Sequence, residues 1–390
     1  MGSGHSHSAE EWPRASDRTS IILGALVAAV VVLTAAGAGF VWPKDYSYMG
    51  SIPTTYEGAR WVEVTVRSVD SSTGNAVVTI NGETPAVERS LEPTGFNGLT
   101  FAEGDGIKTL QLETGELVFS DFERGPPMLI LLLVYVALVI LVARWRGAGA
   151  LLGLAAAFGI VIFFTVPALF GGGNPLIVGL VTGSGALFAL LYLAHGVNAR
   201  TTTAYLGTLA GLVMTTFLAW WAVGASKLTG VWSEDGGNLQ LAGQDVSLKG
   251  LVLCGIILAS LGVLNDVTVT QASAVWELRA ARPDVSRWDL FRRAMRIGRD
   301  HIASTVYTMA FVYVGAALPT IMLVTLYDNS LLTTLTSADI AEEIVRTLVG
   351  SIGLVLAVPL TTAIACLVVG YNAIEREQAA TSSNTPVAPW

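Results

Sequence analysis

The chain has 390 residues, of which 52% are hydrophobic and 13% are charged, and its mean hydropathy is +0.59. Soluble domains carry roughly a quarter charged residues, so the composition excludes a soluble globular protein and indicates a polytopic membrane protein whose partner is the lipid bilayer. The net charge of −8 comes almost entirely from residues 44–125, which hold thirteen Asp or Glu and six Lys or Arg. Since no exposed basic domain remains to hold phosphates, we expect no nucleic-acid partner.

Both ends of the chain lack structure signals. Residues 1–19 are polar, with His5 and His7 in a Gly/Ser-rich run, and residues 373–390 are polar as well. This composition is typical of disordered tails, and a metal site at the two histidines is the weaker interpretation. We predict two disordered cytoplasmic tails.

The first apolar segment covers residues 21–42 and closes on Trp42 and Pro43. It is too long for the hydrophobic part of a signal peptide, and it has no clear small-residue cleavage site. We therefore predict an uncleaved transmembrane helix over residues 20–43, with Trp42 in the interfacial aromatic belt.

Residues 44–124 have the pattern of a small β-domain. Apolar and polar residues alternate from Trp61 to Arg67, and Asn81 and Gly82 form a tight-turn pair. About five short strands in this segment predict an extracytoplasmic β-barrel, and an OB-like barrel is the specific candidate. The aromatic residues that we expect in its core, rather than on a ligand platform, are Trp61, Phe96 and Phe101.

Residues 125–372 are predicted to form the rest of a bundle of about eight transmembrane helices. The seven spans after the first are predicted within 126–142, 149–170, 176–194, 202–223, 248–282, 302–326 and 344–371. Gly315 and Pro319 predict a kink in the seventh span, and Pro359 predicts an interruption in the eighth. The two cysteines, Cys254 and Cys366, lie in apolar spans and are typical of small buried hydrophobes, so we predict no disulfide, metal or cofactor.

An amphipathic helix is predicted over residues 285–298, between the sixth and seventh spans. Trp288, Phe291 and Met295 share one helical face, and arginines oppose them. This arrangement is typical of a helix that lies in the membrane interface with its apolar face toward the acyl chains.

The distribution of positive charge predicts the topology. If the N-terminus is inside, then Arg144, Arg146, Arg200 and the seven arginines from Arg279 to Arg299 all lie in the cytoplasm. Every short loop then agrees with the positive-inside rule. We predict a multi-pass plasma-membrane protein with both termini in the cytoplasm and the β-domain outside.

The sixth span carries the most unusual residues of the chain. Asp266 lies roughly 24 Å beyond Gly250 at about 1.5 Å per residue, inside a hydrocarbon core about 30 Å thick. A charge at that depth is costly unless it faces protein, water or an ion. Two interpretations stay open: Asp266 lines a pathway inside the bundle, or the span is shifted so that Asp266 caps a helix or forms a salt bridge near the inner interface. A helix break near Gly262, which would free backbone carbonyls beside the carboxylate, is a further hypothesis.

The same region carries a family resemblance. The segments that carry it are LGVLNDV at 261–267, ASAVWEL at 272–278, IGRD at 297–300 and GAALP at 315–319. Together they resemble the YibE/F-like family of bacterial integral membrane proteins, over roughly residues 21–371. The resemblance implies one N-terminal helix, a small external β-domain and a helical bundle in a bacterial inner membrane, with a transporter-like or channel-like role. Asn265 stands where an apolar residue is expected in many relatives, which makes this span more polar here.

The leading functional hypothesis is a transporter or permease for an unidentified small solute or ion. The candidate transport and binding residues are Asn265, Asp266, Thr268, Thr270, Gln271, Ser273, Arg299, Asp300, His301 and Tyr307. Asp266, Thr270 and Ser273 can share one helix face, and so can Thr268 and Gln271. Arg299 and Asp300 could form a gate pair or neutralise Asp266, and a packing salt bridge between Arg299 and Asp266 is the structural alternative.

Two other classes of function remain as alternatives. A channel would use the same Asp266 but needs a homo-oligomer or a continuous water path. An anchored binding or assembly protein would act through its external β-domain. We predict no enzymatic activity, because the sequence carries no HExxH, GxSxG or Walker-type signature.

Overall fold

The computed structural model describes residues 15–44, 46–55, 57–83, 87–92, 100–231, 234–241, 246–326, 328 and 330–370. The predicted tail 373–390, most of the predicted tail 1–19 and Phe96 lie outside these residues. The chain divides into two compact units, one of residues Ser47–Val142 and one of Met1–Tyr46 with Ala143–Trp390. The first unit contains the antiparallel strands and the beginning of a long helix, and helices build the second.

The strands of the first unit form one antiparallel sheet. They are β1 (Arg60–Val69), β2 (Ala76–Ile80), β3 (Glu88–Leu91), β4 (Gly106–Gln111) and β5 (Leu117–Phe122). The order across the sheet is β3-β2-β1-β4-β5. The strand pairing found among the described residues ends at β3 on one side and β5 on the other, so the closed barrel stays a prediction.

Side-chain alternation decides which residues of β1 are buried. Val64 and Val66 point into the core, as the alternating pattern predicts, and Phe101 joins them there. The prediction for Trp61 is wrong, because its side chain is 48% exposed. Since strand side chains alternate, Trp61 shares the outer face with Glu63 rather than the inner face with the valines.

A hydrogen-bonded turn joins β1 to β2. Ser72 donates to Asp70 Oδ1 through its hydroxyl at 2.6 Å and through its backbone N–H at 2.8 Å. These bonds hold the pKa of Asp70 below its ordinary value, because they stabilise the ionised carboxylate. The Gly74 N–H also donates to the Asp70 carbonyl oxygen at 2.7 Å, so the turn is closed by backbone and side-chain hydrogen bonds.

The helices are α1 (Asp17–Phe40), α2 (Gly125–Ile160), α3 (Val166–Phe170), α4 (Pro175–His195), α5 (Ala199–Ala225), α6 (Glu234–Leu241), α7 (Leu248–Ala281), α8 (Arg287–Ala316), α9 (Leu318–Thr325), α10 (Leu331–Leu335) and α11 (Ala338–Val368). A π-helical turn, Val161–Thr165, joins α2 to α3. Many large apolar side chains on the outer surfaces of the long helices are exposed, which is the pattern of a protein whose solvent is lipid.

Six helical stretches in the described residues are long and apolar enough to cross a membrane, or seven if the bent pair α8 and α9 counts as one span. The eight predicted spans exceed this count because predicted spans two and three form one stretch, Gly125–Phe170, of 46 residues. Its length of roughly 69 Å is about twice the hydrocarbon thickness. Arg144, with φ 54° and ψ −134°, interrupts the helix between the two predicted spans. The count of eight therefore stays a prediction.

Two predicted interruptions of helices are wrong. The amphipathic segment 285–298 is not a separate element, because α8 continues through it into the next apolar span as one helix, Arg287–Ala316. Ser286 caps its start by accepting a hydrogen bond from the Asp289 N–H, and nothing between residues 298 and 302 breaks the helix. Likewise α11 runs through Pro359, which a membrane helix tolerates when its neighbours pack around it. The predicted kink in the seventh span is confirmed as a 63° bend between α8 and α9.

Glycines set the close packing of the helical unit. A Cβ at Gly149 would overlap the Leu193 carbonyl oxygen of α4, and one at Gly153 would lie 2.9 Å from Leu190 Cα. On α4, a Cβ at Gly183 would lie 2.6 Å from Leu212 Cδ2 of α5. Helix backbones can approach this closely only where the side chain is absent, as in other small-residue membrane interfaces. The result is a tight bundle in which α7 packs against α4, α5, α8 and α11.

Candidate functional site

The long helix α7 places most of the predicted site residues. Ser247 caps its start by accepting a hydrogen bond from the Gly250 N–H at 3.2 Å, and the helix runs unbroken for 34 residues to Ala281. The hypothesis of a break near Gly262 is therefore wrong. A glycine does not break a membrane helix here, because no water is present in the hydrocarbon to compete for the backbone hydrogen bonds.

The polar residues of α7 lie on two different faces, as the helical spacing predicts. Thr268 and Gln271 are buried at 0% and 2% exposure, whereas Asp266 and Thr270 are exposed and Ser273 is half-buried. The buried pair faces the neighbouring helices of the same chain. Asp266 and Thr270 face outward from the helical unit, which sequence periodicity alone does not reveal.

An acid and an imidazole meet on the outward face. His301 of α8 lies with its Nε2 3.6 Å from Asp266 Oδ2. That distance permits an ion pair but is too long for a hydrogen bond. The Asp266 side chain is 67% exposed and that of His301 is 29% exposed. The Asp266 carboxylate is therefore open to a cation, a proton or a polar solute group, whereas His301 Nε2 is buried and has no hydrogen-bond partner among the described residues.

The predicted pairing of Arg299 with Asp266 is not what the structure shows. Both Arg299 and Asp300 are exposed, and within the described part of the chain the basic side chain that lies within ion-pair distance of Asp266 is His301. The reason is helical geometry: Arg299 is two residues before His301, so it points to nearly the opposite side of α8. Tyr307 lies farther along α8 and is 57% exposed. His301 was among the sequence candidates, but its spacing did not identify it as the partner, because the choice between Arg299 and His301 depends on the rotation of α8 about its axis.

The buried residues of α7 make contacts that join helices. Thr268 and Thr208 share a hydrogen bond of 2.5 Å between α7 and α5. Gln271 Nε2 donates to the Ala294 carbonyl oxygen of α8 at 3.0 Å, close to the bare backbone of Gly298. Asn265 is half-buried, and its Oδ1 has no hydrogen-bond partner among the described residues. Thr268 and Gln271 thus hold α7 against α5 and α8, on the side of the helix away from Asp266.

The hydrogen bond between Thr208 and Thr268 should couple the stability of α5 and α7. Each threonine replaced by valine keeps its volume and loses its hydroxyl. In a double-mutant cycle, we expect a coupling free energy of about 0.6 to 1.7 kcal/mol for a bond of this kind inside a membrane protein. Thermal or denaturant unfolding of the two single variants and the double variant in the same detergent measures it. Additive effects of the two substitutions would contradict the bond.

Sequence analysis missed a polar seam between α5 and α11. The Oγ1 atoms of Thr215 and Thr361 are buried without hydrogen-bond partners among the described residues. Each faces a glycine of the opposite helix, since a Cβ at Gly353 would overlap Thr215 and one at Gly207 would overlap Thr361. The spacing of Thr201, Thr208 and Thr215 at seven residues was the available signal, because it places three hydroxyls on one face of α5.

Comparison with known families identifies the helical part of the chain. The model of the family described as YibE/F-like protein matches residues 131–371. The chain belongs to the YibE/F-like family. The matched segment contains α4 to α11 and so includes Asp266 and His301. No curated protein and no solved structure matches the chain.

Proposed function

We propose that this YibE/F-like protein is a transporter or permease that moves a small solute or ion past Asp266 and His301. The observation that carries the proposal is an acid–imidazole pair near the middle of a membrane-spanning helix. Asp266 lies roughly 27 Å from the start of α7 and about 22 Å from its end. A carboxylate at such a position is a functional site by default, because facing lipid would cost several kcal/mol.

The chemistry of the pair limits what could pass. A carboxylate oxygen and an imidazole nitrogen can bind a cation, accept and release a proton, or orient a polar solute. Thr270 adds a hydroxyl on the same face, one turn from Asp266, and that hydroxyl donates to the Asp266 carbonyl oxygen at 2.8 Å. A protein built only to anchor another domain needs none of these groups within its membrane helices. We assign no catalytic residue.

Flux into liposomes tests the proposal. Purified protein is reconstituted in liposomes that contain a pH-sensitive or a cation-sensitive dye, and gradients of protons, Na⁺, K⁺ and divalent cations are imposed in turn. If the protein transports an ion, at least one of these gradients should dissipate faster than in protein-free liposomes. If none does, although the protein is folded and inserted, the ionic substrates are excluded and a neutral solute or the second candidate below gains support.

A second candidate function rests on the first unit. A groove of about 860 Å³ lies on its sheet, beside the exposed Trp61, with Arg60, Lys108 and Asp121 among its lining residues. A groove with one exposed aromatic ring and charges of both signs suits a polar polymer or a protein segment. In this case the helices would anchor a binding or assembly domain. Trp61→Ala should then impair function in cells while leaving liposome flux unchanged.

We also propose that the protein lies in the bacterial inner membrane with both termini in the cytoplasm and the β-unit outside. The support is the arginine distribution of the short loops. Single cysteines at Ser72, in the β1–β2 turn, and at Asp284, before α8, test it after Cys254 and Cys366 are replaced by alanine. A membrane-impermeant maleimide should label Ser72→Cys in intact spheroplasts and Asp284→Cys only after lysis. The reverse pattern would contradict this topology.

A further inference from the structure

One face of α7 is only partly covered by the described residues of the helical unit. Gly255, Ala259, Gly262, Asp266 and Thr270 follow one another at intervals of three or four residues, so they form a single stripe along the helix. A Cβ added at Gly255 or at Gly262 would meet no heavy atom within 4 Å. The stripe is therefore a shallow groove on the surface of α7. Small residues line it, and a carboxylate and a hydroxyl lie at one end.

Several other helical glycines of this unit lie against a neighbouring side chain. A Cβ at Gly179 would lie 3.0 Å from Ile257 Cδ1, and one at Gly298 would lie 2.7 Å from Val358 Cγ1. On the α7 stripe Gly262 is exposed, Gly255 and Ala259 are half-buried, and no described residue packs against a Cβ built at either glycine. The stripe is thus a surface of the kind that membrane helices use to approach each other, without its second helix.

Lipid is a poor cover for this stripe. Acyl chains offer no hydrogen-bond donor or cation to Asp266, which is 67% exposed. A charge in contact with the hydrocarbon core is destabilising by at least a few kcal/mol, whereas pairing with protein groups or water removes most of that cost. Whatever packs against this stripe must therefore place a polar group near Asp266 and must approach Gly262 closely.

A second copy of the chain meets both requirements. In a twofold interface each surface contacts itself, so that residue i of one copy meets residue j of the other and the reverse. The stripe carries an acid, Asp266, and the imidazole of His301 lies beside it on α8. When two such faces meet, Asp266 of each copy can approach the partner's His301, and the small residues let the two α7 backbones come close.

We propose that two copies of this chain pack α7 against α7 along this stripe, and that Asp266 and His301 of both copies together form the transport site. The shared transport site rests on the proposed function, whereas the α7–α7 interface does not depend on it. Two carboxylates and two imidazoles around one axis would provide a symmetric site for a cation or a shared proton, which a single copy lacks.

The test uses a leucine at Gly262, with leucine at Gly24 as the matched control. Gly24 lies on the exposed surface of α1, and a Cβ there also meets nothing within 4 Å. A Cβ has room at both positions within one copy, so both variants should fold. Subunit number is measured by single-molecule photobleaching of labelled protein in liposomes at low protein density, and flux is measured in the same preparations.

The proposal expects two subunits for the wild-type protein and for Gly24→Leu, one subunit for Gly262→Leu, and loss of flux only in Gly262→Leu. A wild-type protein with one subunit, or a Gly262→Leu variant that stays paired, would overturn the interface. Undiminished flux by single subunits of Gly262→Leu would overturn the shared site. If pairing behaves as expected but the wild-type protein carries no flux, the interface is supported and the proposed function fails.

Cross-linking gives an independent measurement of the same interface. In a protein whose Cys254 and Cys366 are replaced by alanine, Gly262→Cys should form an intermolecular disulfide on mild oxidation in the membrane. Val213→Cys, on the exposed surface of α5, is the control and should remain uncross-linked. Equal yields from both positions would reflect random collision and would contradict packing along α7.

Discussion

The Asp266→Asn variant is expected to lose nearly all flux while it folds like the wild-type protein. The substitution keeps the shape of the side chain, removes its charge and removes its ability to exchange a proton. Because the carboxylate is exposed on its own helix and holds no tight hydrogen bond, its loss should leave the packing of α7 unchanged. We expect a decrease of about tenfold or more in initial rate, since the binding of a cation in the membrane depends on that charge.

The control for this variant is Asp284→Asn, which removes the same charge from the exposed loop before α8, between the long helices. It should transport like the wild-type protein. His301→Gln removes the imidazole and should reduce flux as well. If Asp266→Asn and His301→Gln both transport at the wild-type rate, the pair is a packing feature and does not belong to the pathway.

The Gly149→Ala variant is expected to show the largest loss of stability from a single added methyl group. That methyl would overlap the Leu193 carbonyl oxygen of α4, and a helix backbone cannot move aside as a flexible side chain can. We expect a decrease of about 1 to 3 kcal/mol in the free energy of unfolding, the usual range for overpacking. The melting temperature in detergent, followed by size-exclusion chromatography of heated samples, measures the change.

The matched control is Gly159→Ala, ten residues farther along the same helix, where an added Cβ meets no heavy atom within 4 Å. There alanine should leave stability unchanged or raise it by up to about 1 kcal/mol, because alanine favours the helix over glycine. A Gly149→Ala variant as stable as Gly159→Ala would contradict the close contact between α2 and α4.

The β-strands were predictable because each signal was local. Alternation in β1 and the tight turn at Asn81 and Gly82 depend on residues next to one another, and the sheet contains both. The error at Trp61 came from expecting a large aromatic residue to be buried. The period of two already placed it beside Glu63, on the outer face.

The candidate site was predictable in composition but not in orientation. The position of Asp266 within an apolar span follows from residue counting, and the division of Thr268 and Gln271 from Thr270 follows from helical periodicity. Which face looks outward depends on contacts with α4, α5, α8 and α11, which are distant in sequence. For the same reason the pairing of Asp266 with His301, rather than Arg299, needed the rotation of α8 about its axis.

The central claim is that Asp266 faces a polar pathway and not lipid, and the accessibility of residue 266 to water tests it most directly. Asp266→Cys and Val213→Cys, both in protein whose Cys254 and Cys366 are alanine, are reconstituted in liposomes and exposed to a small charged thiol reagent. Asp266 and Val213 are comparably exposed, at 67% and 56%, and both lie in the middle of their helices. If Asp266 faces a polar pathway, we expect rapid labelling at position 266 and little at position 213. Labelling at 266 as slow as at 213 would show that this face meets lipid and would contradict the proposed pathway.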